Sequence, residues 1–224
     1  METTFLSDDT RIRIDSHRPK TAGRYPIVLA LHGSGGFANL NYNEFAHMLA
    51  DRGFAVFVPH YFDATGTTWA YPQEIREHHR RWIGVISDAI EWAGQQEFAD
   101  ASSVGIVGFS LGAYLGLTLS AMRPGVRAVV DYFGGMPDEI IAEMKHCPAV
   151  LILHGDRDLT VRVTEAFKLE SLLKSRKVPH EMKIYKGAGH GFRGLDMLDA
   201  AQRTYFFLRK HLHDSANFSE PKAV

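Results

Sequence analysis

Three stretches of this chain bring together residue types that can carry out acyl transfer. The first, Gly108-Phe109-Ser110-Leu111-Gly112, ends an apolar run and opens an almost wholly apolar segment reaching Ala121. Where a strand turns sharply into a helix, this spacing lifts the serine onto a strained apex, and the flanking glycines remove side chains that would collide there. Ser110 is therefore the candidate nucleophile. The N–H of Leu111, at the tip of the following helix, is a candidate oxyanion donor. The second stretch, Leu31-His32-Gly33-Ser34-Gly35-Gly36, follows PIVLALH, and its glycines let backbone approach a ligand. It offers the N–H of Ser34 as a second oxyanion donor. This loop fits neither G-x-x-x-x-G-K-[ST] nor G-x-G-x-x-G, which disfavours reading it as a phosphate-binding loop. The third is a pair of later loops, Gly155-Asp156-Arg157-Asp158 after AVLILH and Gly187-Ala188-Gly189-His190-Gly191-Phe192 after EMKIY. A serine hydroxyl needs a base to take its proton and a carboxylate to orient that base. His190, cleared on both sides by glycine, is the candidate base. The carboxylate can be Asp158, Asp156, or Asp131 at the end of VRAVV.

These residues must be held by a scaffold, and the pattern of the chain predicts one. Short β-branched runs, Pro26 to His32, Phe54 to Pro59, Ser103 to Gly108, Val126 to Val130, Ala149 to His154 and Glu181 to Tyr185, alternate with stretches of helical spacing. That is the signature of an α/β fold, a mostly parallel twisted sheet covered by helices on both faces. Tyr42, Phe45, Ala46 and Leu49 recur at helical spacing, as do Trp82, Ile86, Ala89, Ile90 and Ala93, and again Ala166, Phe167, Leu169, Leu172 and Leu173. Such stripes are core packing. TRIRID, Thr10 to Asp15, alternates like a half-exposed antiparallel strand and is expected at the sheet edge. The longer segments Tyr61 to Pro72 and Tyr132 to Cys147 are expected to wall a substrate site. With no repeat, linker or low-complexity tract, the 224 residues read as a single domain, with a core of about 10–212 and a polar tail, 214–224, expected to fray.

Composition excludes several function classes. Lys plus Arg number 25 and Asp plus Glu 26, so no net positive field exists to hold nucleic acid or an anionic membrane. No apolar run approaches a membrane span, and the start lacks a secretory apolar stretch. One cysteine, Cys147, cannot form an internal disulfide and lacks a glycine-flanked turn, so it reads as a small apolar residue in a cytoplasmic protein. His78 and His79 are adjacent on a helix and diverge, and no histidine spacing backed by carboxylates calls for a metal. Neither metal nor cofactor is expected.

In order and wording, LHGSGG, GFSLG, HGDRD and YKGAGHGF resemble the dienelactone hydrolase family of the α/β-hydrolases, over roughly residues 10 to 212. The resemblance implies an α/β-hydrolase fold without a separate cap domain. It implies Ser110 as nucleophile, Asp158 as the acid and His190 as base, with the backbones of Ser34 and Leu111 as oxyanion donors. The name-giving enzymes carry cysteine in G-x-C-x-G where this chain has Ser110. Acyl transfer is retained, while the favoured acyl group can differ. Those enzymes grip a substrate carboxylate with arginines; here Arg76, Arg80, Arg81 and Arg193 read as surface charges. The expected function is a serine hydrolase of small carboxylic esters or lactones, working as a monomer or homodimer. Two alternatives are a non-catalytic binder of a small ligand on the same fold, separable with a fluorophosphonate probe, and an acyltransferase or perhydrolase, separable by its products.

Overall fold

In the computed structural model, which describes residues 2–38 and 42–213, the six β-branched runs and TRIRID become strands and are joined by one more at the amino-terminal end: β1 (Glu2–Ser7), β2 (Thr10–His17), β3 (Tyr25–Leu31), β4 (Ala55–Pro59), β5 (Ala99–Phe109), β6 (Val126–Tyr132), β7 (Ala149–Gly155) and β8 (His180–Tyr185). They form one eight-stranded sheet in the order β1-β2-β4-β3-β5-β6-β7-β8. β3 to β8 run parallel, and β1 and β2 pair antiparallel at one end. The helices are α1 (Tyr42–Ala50), α2 (Pro72–Gly94), α3 (Leu111–Met122), α4 (Asp138–Glu143), α5 (Thr164–Ser175) and α6 (Gly194–Leu212).

Alternation along the central strands sends side chains into two cores. Ile27, Leu29, Leu31, Ile106, Val129, Val150 and Ile152 face one layer, where they meet α2 through Trp82, Val85 and Ile86, α3 through Leu115 and Leu119, and α5 through Leu169 and Leu173. Val28, Ala30, Val107, Val130, Leu151 and Leu153 face the other, against Ala46 and Leu49 of α1 and Phe207 and Leu208 of α6. Each such Leu, Ile or Val stabilises the fold by roughly 1.5–3 kcal/mol relative to an exposed side chain. α2 begins with Pro72, whose ring suits a first helical position, while Glu74 Oε2 accepts the Tyr71 N–H at 3.1 Å. Phe167, grouped with the core stripe of α5, is instead 48% exposed.

The amino-terminal end corrects one expectation. TRIRID pairs antiparallel as foreseen, with Ile12 and Ile14 buried and Arg11 and Arg13 exposed, but it is not the edge strand. A tight turn at Asp8, with φ of 46°, folds β1 back onto it as a hairpin. Phe5 seats that outer strand by stacking on Trp92 of α2 at 6.1 Å. Arg81 fastens the turn through Asp8 and the Ser7 carbonyl. The expectation for the tail concerns residues outside those described.

Candidate active site

The C-terminal ends of the parallel strands bring the three chemical stretches to one cleft of about 730 Å³. Ser110 sits between β5 and α3 with φ 53° and ψ −115°, a left-handed conformation costly for any residue with a Cβ. Its N–H donates to the Tyr132 carbonyl at 2.9 Å, tying the bend to β6. A Cβ on Gly108 would overlap the Ala113 backbone, and one on Gly112 would overlap the carbonyls of Leu31 and His32. The two glycines are thus required by close backbone approach, as the spacing implies.

His190 lies between β8 and α6. Its Nδ1 is 2.7 Å from Asp158 Oδ2, and its Nε2 is 3.0 Å from Ser110 Oγ. With the ring proton on Nδ1 donated to the carboxylate, Nε2 is the acceptor for the serine hydroxyl. The Asp158 side chain is wholly buried, whereas the imidazole keeps 24% of its surface. Asp158 Oδ1 accepts the N–H groups of Thr160 at 2.8 Å and Val161 at 2.9 Å. His154, at the end of β7, donates from Nε2 to the Val161 carbonyl at 2.9 Å and comes within 3.5 Å of Asp158 Oδ2. Burial holds its pKa below the usual histidine value, and that favours the neutral ring.

The other two acids have different partners. Asp156 is exposed and accepts the Gly187 N–H at 2.6 Å, clasping the base of the His190 loop. Asp131 is fully buried and accepts the Gly134 N–H at 2.7 Å. Burial lifts its carboxyl to a pKa of about 7, partly offset by that hydrogen bond. Neither bonds to His190.

On the opposite wall, Gly33 to Gly36 forms a turn closed by Gly36 N–H donating to the Gly33 carbonyl at 3.0 Å. A side chain on Gly33 would press on Ser110 Cβ at 3.4 Å, which places Ser34 beside the nucleophile on the cleft wall. The Gly33 N–H is taken by the Tyr42 hydroxyl at 3.1 Å, and the Ser34 carbonyl by Ala70 N–H at 2.8 Å. Beneath the turn His32 stacks on Tyr61 at 3.9 Å, and Tyr61 donates to the His32 carbonyl at 2.6 Å. Burial drives the His32 pKa down to about 3. The N–H of Leu111, in the first turn of α3, has no intrahelical acceptor by helix geometry.

The expected walls are partly different. No residue of Tyr61 to Pro72 lines the cleft; that segment supports it from behind, through Ala70 and Tyr61. From Tyr132 to Cys147 only Tyr132 and Phe133 line it. Tyr42, Phe109, Lys186, Phe192, Asp196 and Met197 also line it, and residue spacing assigns none of them to a wall; Tyr42, grouped with a core stripe, reaches the cleft beside Gly33. Arg193, read as a surface charge, is exposed and lines the cleft, whereas Arg76 and Arg80 are exposed on α2 away from it. Cys147 is half-buried, and burial raises its thiol pKa, which disfavours the thiolate. Among the described residues Glu2, Asp15 and His60 bring possible metal-ligating atoms within 4.8 Å of one another, outside the cleft lining. Two of them already pair, His60 Nε2 to Asp15 Oδ2 at 3.0 Å. No helix among the described residues is long and apolar enough to cross a membrane.

Known proteins share both the sequence pattern and the architecture. A carboxymethylenebutenolidase homolog of Rattus norvegicus is 27% identical over 182 residues, covering 78% of this chain and 72% of its own. The carboxymethylenebutenolidase of Rhodococcus opacus is 26% identical over 192 residues, 76% of each chain. Among solved structures, the dienelactone hydrolase of Anabaena variabilis superposes with a TM-score of 0.74 at 19% identity, over 95% of this chain and 98% of that one. The dienelactone hydrolase-like promiscuous phosphotriesterase P91, from metagenomic libraries, gives 0.81 at 18% identity, over 95% and 98%. These two likenesses establish the α/β-hydrolase architecture. The pattern of the dienelactone hydrolase family itself matches residues 14–202, and on that match the chain belongs to the dienelactone hydrolase family.

Proposed function

We propose that the protein is a cytoplasmic serine hydrolase that cleaves small carboxylic esters or lactones through an acyl-enzyme on Ser110, the whole chain acting as one domain. The observation that carries this reading is the unbroken hydrogen-bonded line from Ser110 Oγ through His190 to Asp158, at 3.0 and 2.7 Å, opening into a cleft. Ser110 attacks the carbonyl carbon while His190 Nε2 takes the hydroxyl proton. The negative oxygen of the tetrahedral intermediate is held by the N–H groups of Ser34 and Leu111. Asp158 steadies the imidazolium. The protonated His190 then passes its proton to the departing alcohol oxygen, and in a lactone that oxygen stays tethered to the acyl group. Water, activated by the same imidazole, attacks the acyl-enzyme and frees the acid and Ser110. Each half is balanced in itself: His190 passes the serine proton to the alcohol in the first, and the water proton to Ser110 Oγ in the second.

The aromatic wall of Tyr42, Phe109, Tyr132 and Phe192 favours a flat or apolar acyl or alkoxy part. The cytoplasmic assignment is supported by the lone cysteine. The test is Ser110→Ala assayed with a short-chain aryl ester. Loss of the attacking oxygen should lower kcat by about 10⁶-fold, to the level left by the oxyanion donors and binding alone. Unchanged turnover, or a fluorophosphonate probe that fails to label the wild-type serine, would overturn the proposal.

A further inference from the structure

A hydrogen bond to Nδ1 fixes one point of an imidazole and leaves its plane free to swing about that point. Against His190 the molecule supplies a second surface, from a turn that the mechanism above does not use. Phe133, just after β6, lies with its ring 4.8 Å from the His190 ring at 59°, and 5.4 Å from Phe192. To reach it, Phe133 takes a φ of 44°, a left-handed conformation that bulky side chains rarely adopt. Its N–H is anchored to the Leu153 carbonyl of β7 at 2.8 Å.

The turn is closed from inside by Asp131. Its Oδ1 accepts the Gly134 N–H at 2.7 Å, and its Oδ2 is buried with no hydrogen-bond partner among the described residues. Gly134 is wedged in place: a Cβ there would lie 2.5 Å from Ala113 Cβ, 2.7 Å from Asp131 Oδ1 and 3.1 Å from the Ser110 carbonyl oxygen. Turn and nucleophile bend therefore share one contact surface. A fully buried carboxyl with an unpaired oxygen and a left-handed aromatic residue both oppose folding. Two such costs within three residues are accounted for if the ring must stand where it does.

We infer that Asp131 and Phe133 are positioning residues for His190: the carboxyl holds the turn, and the aromatic ring fixes the imidazole plane so that one nitrogen faces Asp158 and the other faces Ser110. This rests on the hydrolase reading of the site. Neither group touches the reacting atoms in this role.

The test compares variants in steady-state hydrolysis of an aryl ester, with Ser110→Ala alongside and folding checked by circular dichroism. Phe133→Gly removes the ring at a position whose backbone suits glycine, so the turn is not strained by the change. Its kcat should fall by roughly tenfold to a hundredfold, as expected when a reacting group is displaced by up to about 1 Å, while KM moves less than about threefold. Phe133→Tyr keeps the ring and should keep kcat within about threefold of wild type. Asp131→Ala should match the loss in Phe133→Gly, and Asp131→Asn, which retains an acceptor for Gly134 N–H, should restore most of it. A folded Phe133→Gly enzyme with wild-type kcat, or one changed only in KM, overturns the inference while leaving the hydrolase reading intact. Full activity in Ser110→Ala overturns the hydrolase reading instead.

Discussion

Where β6 and β7 end the chain does nearly the same thing: the backbone turns, and an aspartate, Asp131 as the penultimate residue of β6 and Asp158 just after β7, accepts N–H groups of that turn. Asp131 is fully buried and Asp158 is 5% exposed, so burial does not separate them. The supply of donors does. Around Asp158, the N–H groups of Thr160 and Val161 take one oxygen and His190 Nδ1 takes the other. Asp131 receives the Gly134 N–H alone, and its second oxygen has no partner among the described residues. A carboxylate surrounded by donors can keep its charge in the interior and steady an imidazolium, whereas one starved of donors favours its neutral form. The pKa of about 7 for Asp131 follows from that starvation. A place at the C-terminal edge of the sheet therefore does not decide which aspartate meets His190; the local supply of donors does.

The largest effect expected from this contrast is kinetic. Asp158→Asn keeps the size of the side chain but replaces one of the two oxygens by an amide donor, which can no longer accept from Nδ1 and so favours the wrong tautomer of His190. It should lower kcat by about 10⁴-fold, the loss typical of that change in Ser-His-Asp enzymes. Asp131→Asn should stay within about threefold of wild type, since the contact with Gly134 survives. Parallel kcat measurements on the two variants decide the matter. Comparable losses would erase the distinction between the turns, and a larger loss at Asp131 would reverse it.

The distinction is also where reading the chain by residue type stops. Ser110, Asp158 and His190 are legible because each stands in a glycine-marked turn after a β-branched strand, and such turns need particular residues at particular offsets. All three acids lie at the C-terminal end of a strand, and only the resemblance to the family favoured Asp158, because the deciding N–H donors are backbone groups with no letter in the sequence. Phe133 is less legible still, since a left-handed φ is signalled by glycine or asparagine and hidden by phenylalanine. β1 was missed for a related reason. Only Phe5 and Ser7 of its residues are buried, so it has no alternating apolar pattern, and TRIRID looks like an edge until Phe5 is seen on Trp92. β5 begins at Ala99, ahead of the expected Ser103, where polar residues pair in a register that shifts before the apolar part. Five of the six expected strands were legible because burial on both faces demands near-continuous apolar residues, whereas β8, an edge strand in which Tyr185 alone is buried, alternates polar and apolar residues through Glu181-Met182-Lys183-Ile184.

A second, smaller effect lies in stability. Asp131 has its folded pKa raised to about 7 from 3.8, so the folded state binds a proton there more tightly than the unfolded chain. The stability this group contributes is fully present below the unfolded value and is lost as pH rises through about 7. Asp131→Asn removes the titration. Between pH 5 and pH 8 the variant should gain on the wild type by about 3 kcal/mol in urea unfolding, with little further gain above pH 8. Unfolding curves that stay parallel over this range would mean that Asp131 has found a partner for its second oxygen, and the contrast with Asp158 would narrow.

The smallest effect belongs to the third acid. Asp156 shares the loop of Asp158 but is exposed, and its Oδ1 holds only the Gly187 N–H at 2.6 Å. Arg157 N–H to the Ala188 carbonyl at 2.9 Å and Asp156 N–H to the Tyr185 carbonyl at 3.1 Å join the same two loops through backbone alone. A Cβ on Gly155 would overlap the carbonyls of Ala188 and Gly189, so the loops are also pressed together by shape. With that redundancy, Asp156→Ala should cost about 1 kcal/mol in urea unfolding, the usual worth of one hydrogen bond, and change kcat by no more than about threefold. A kcat loss approaching that of Asp158→Asn, in a variant that remains folded, would show that the side-chain clasp and not the backbone ladder keeps His190 within reach of Ser110. The turn after β7 would then act through two aspartates, one on the ring and one on the loop that carries it.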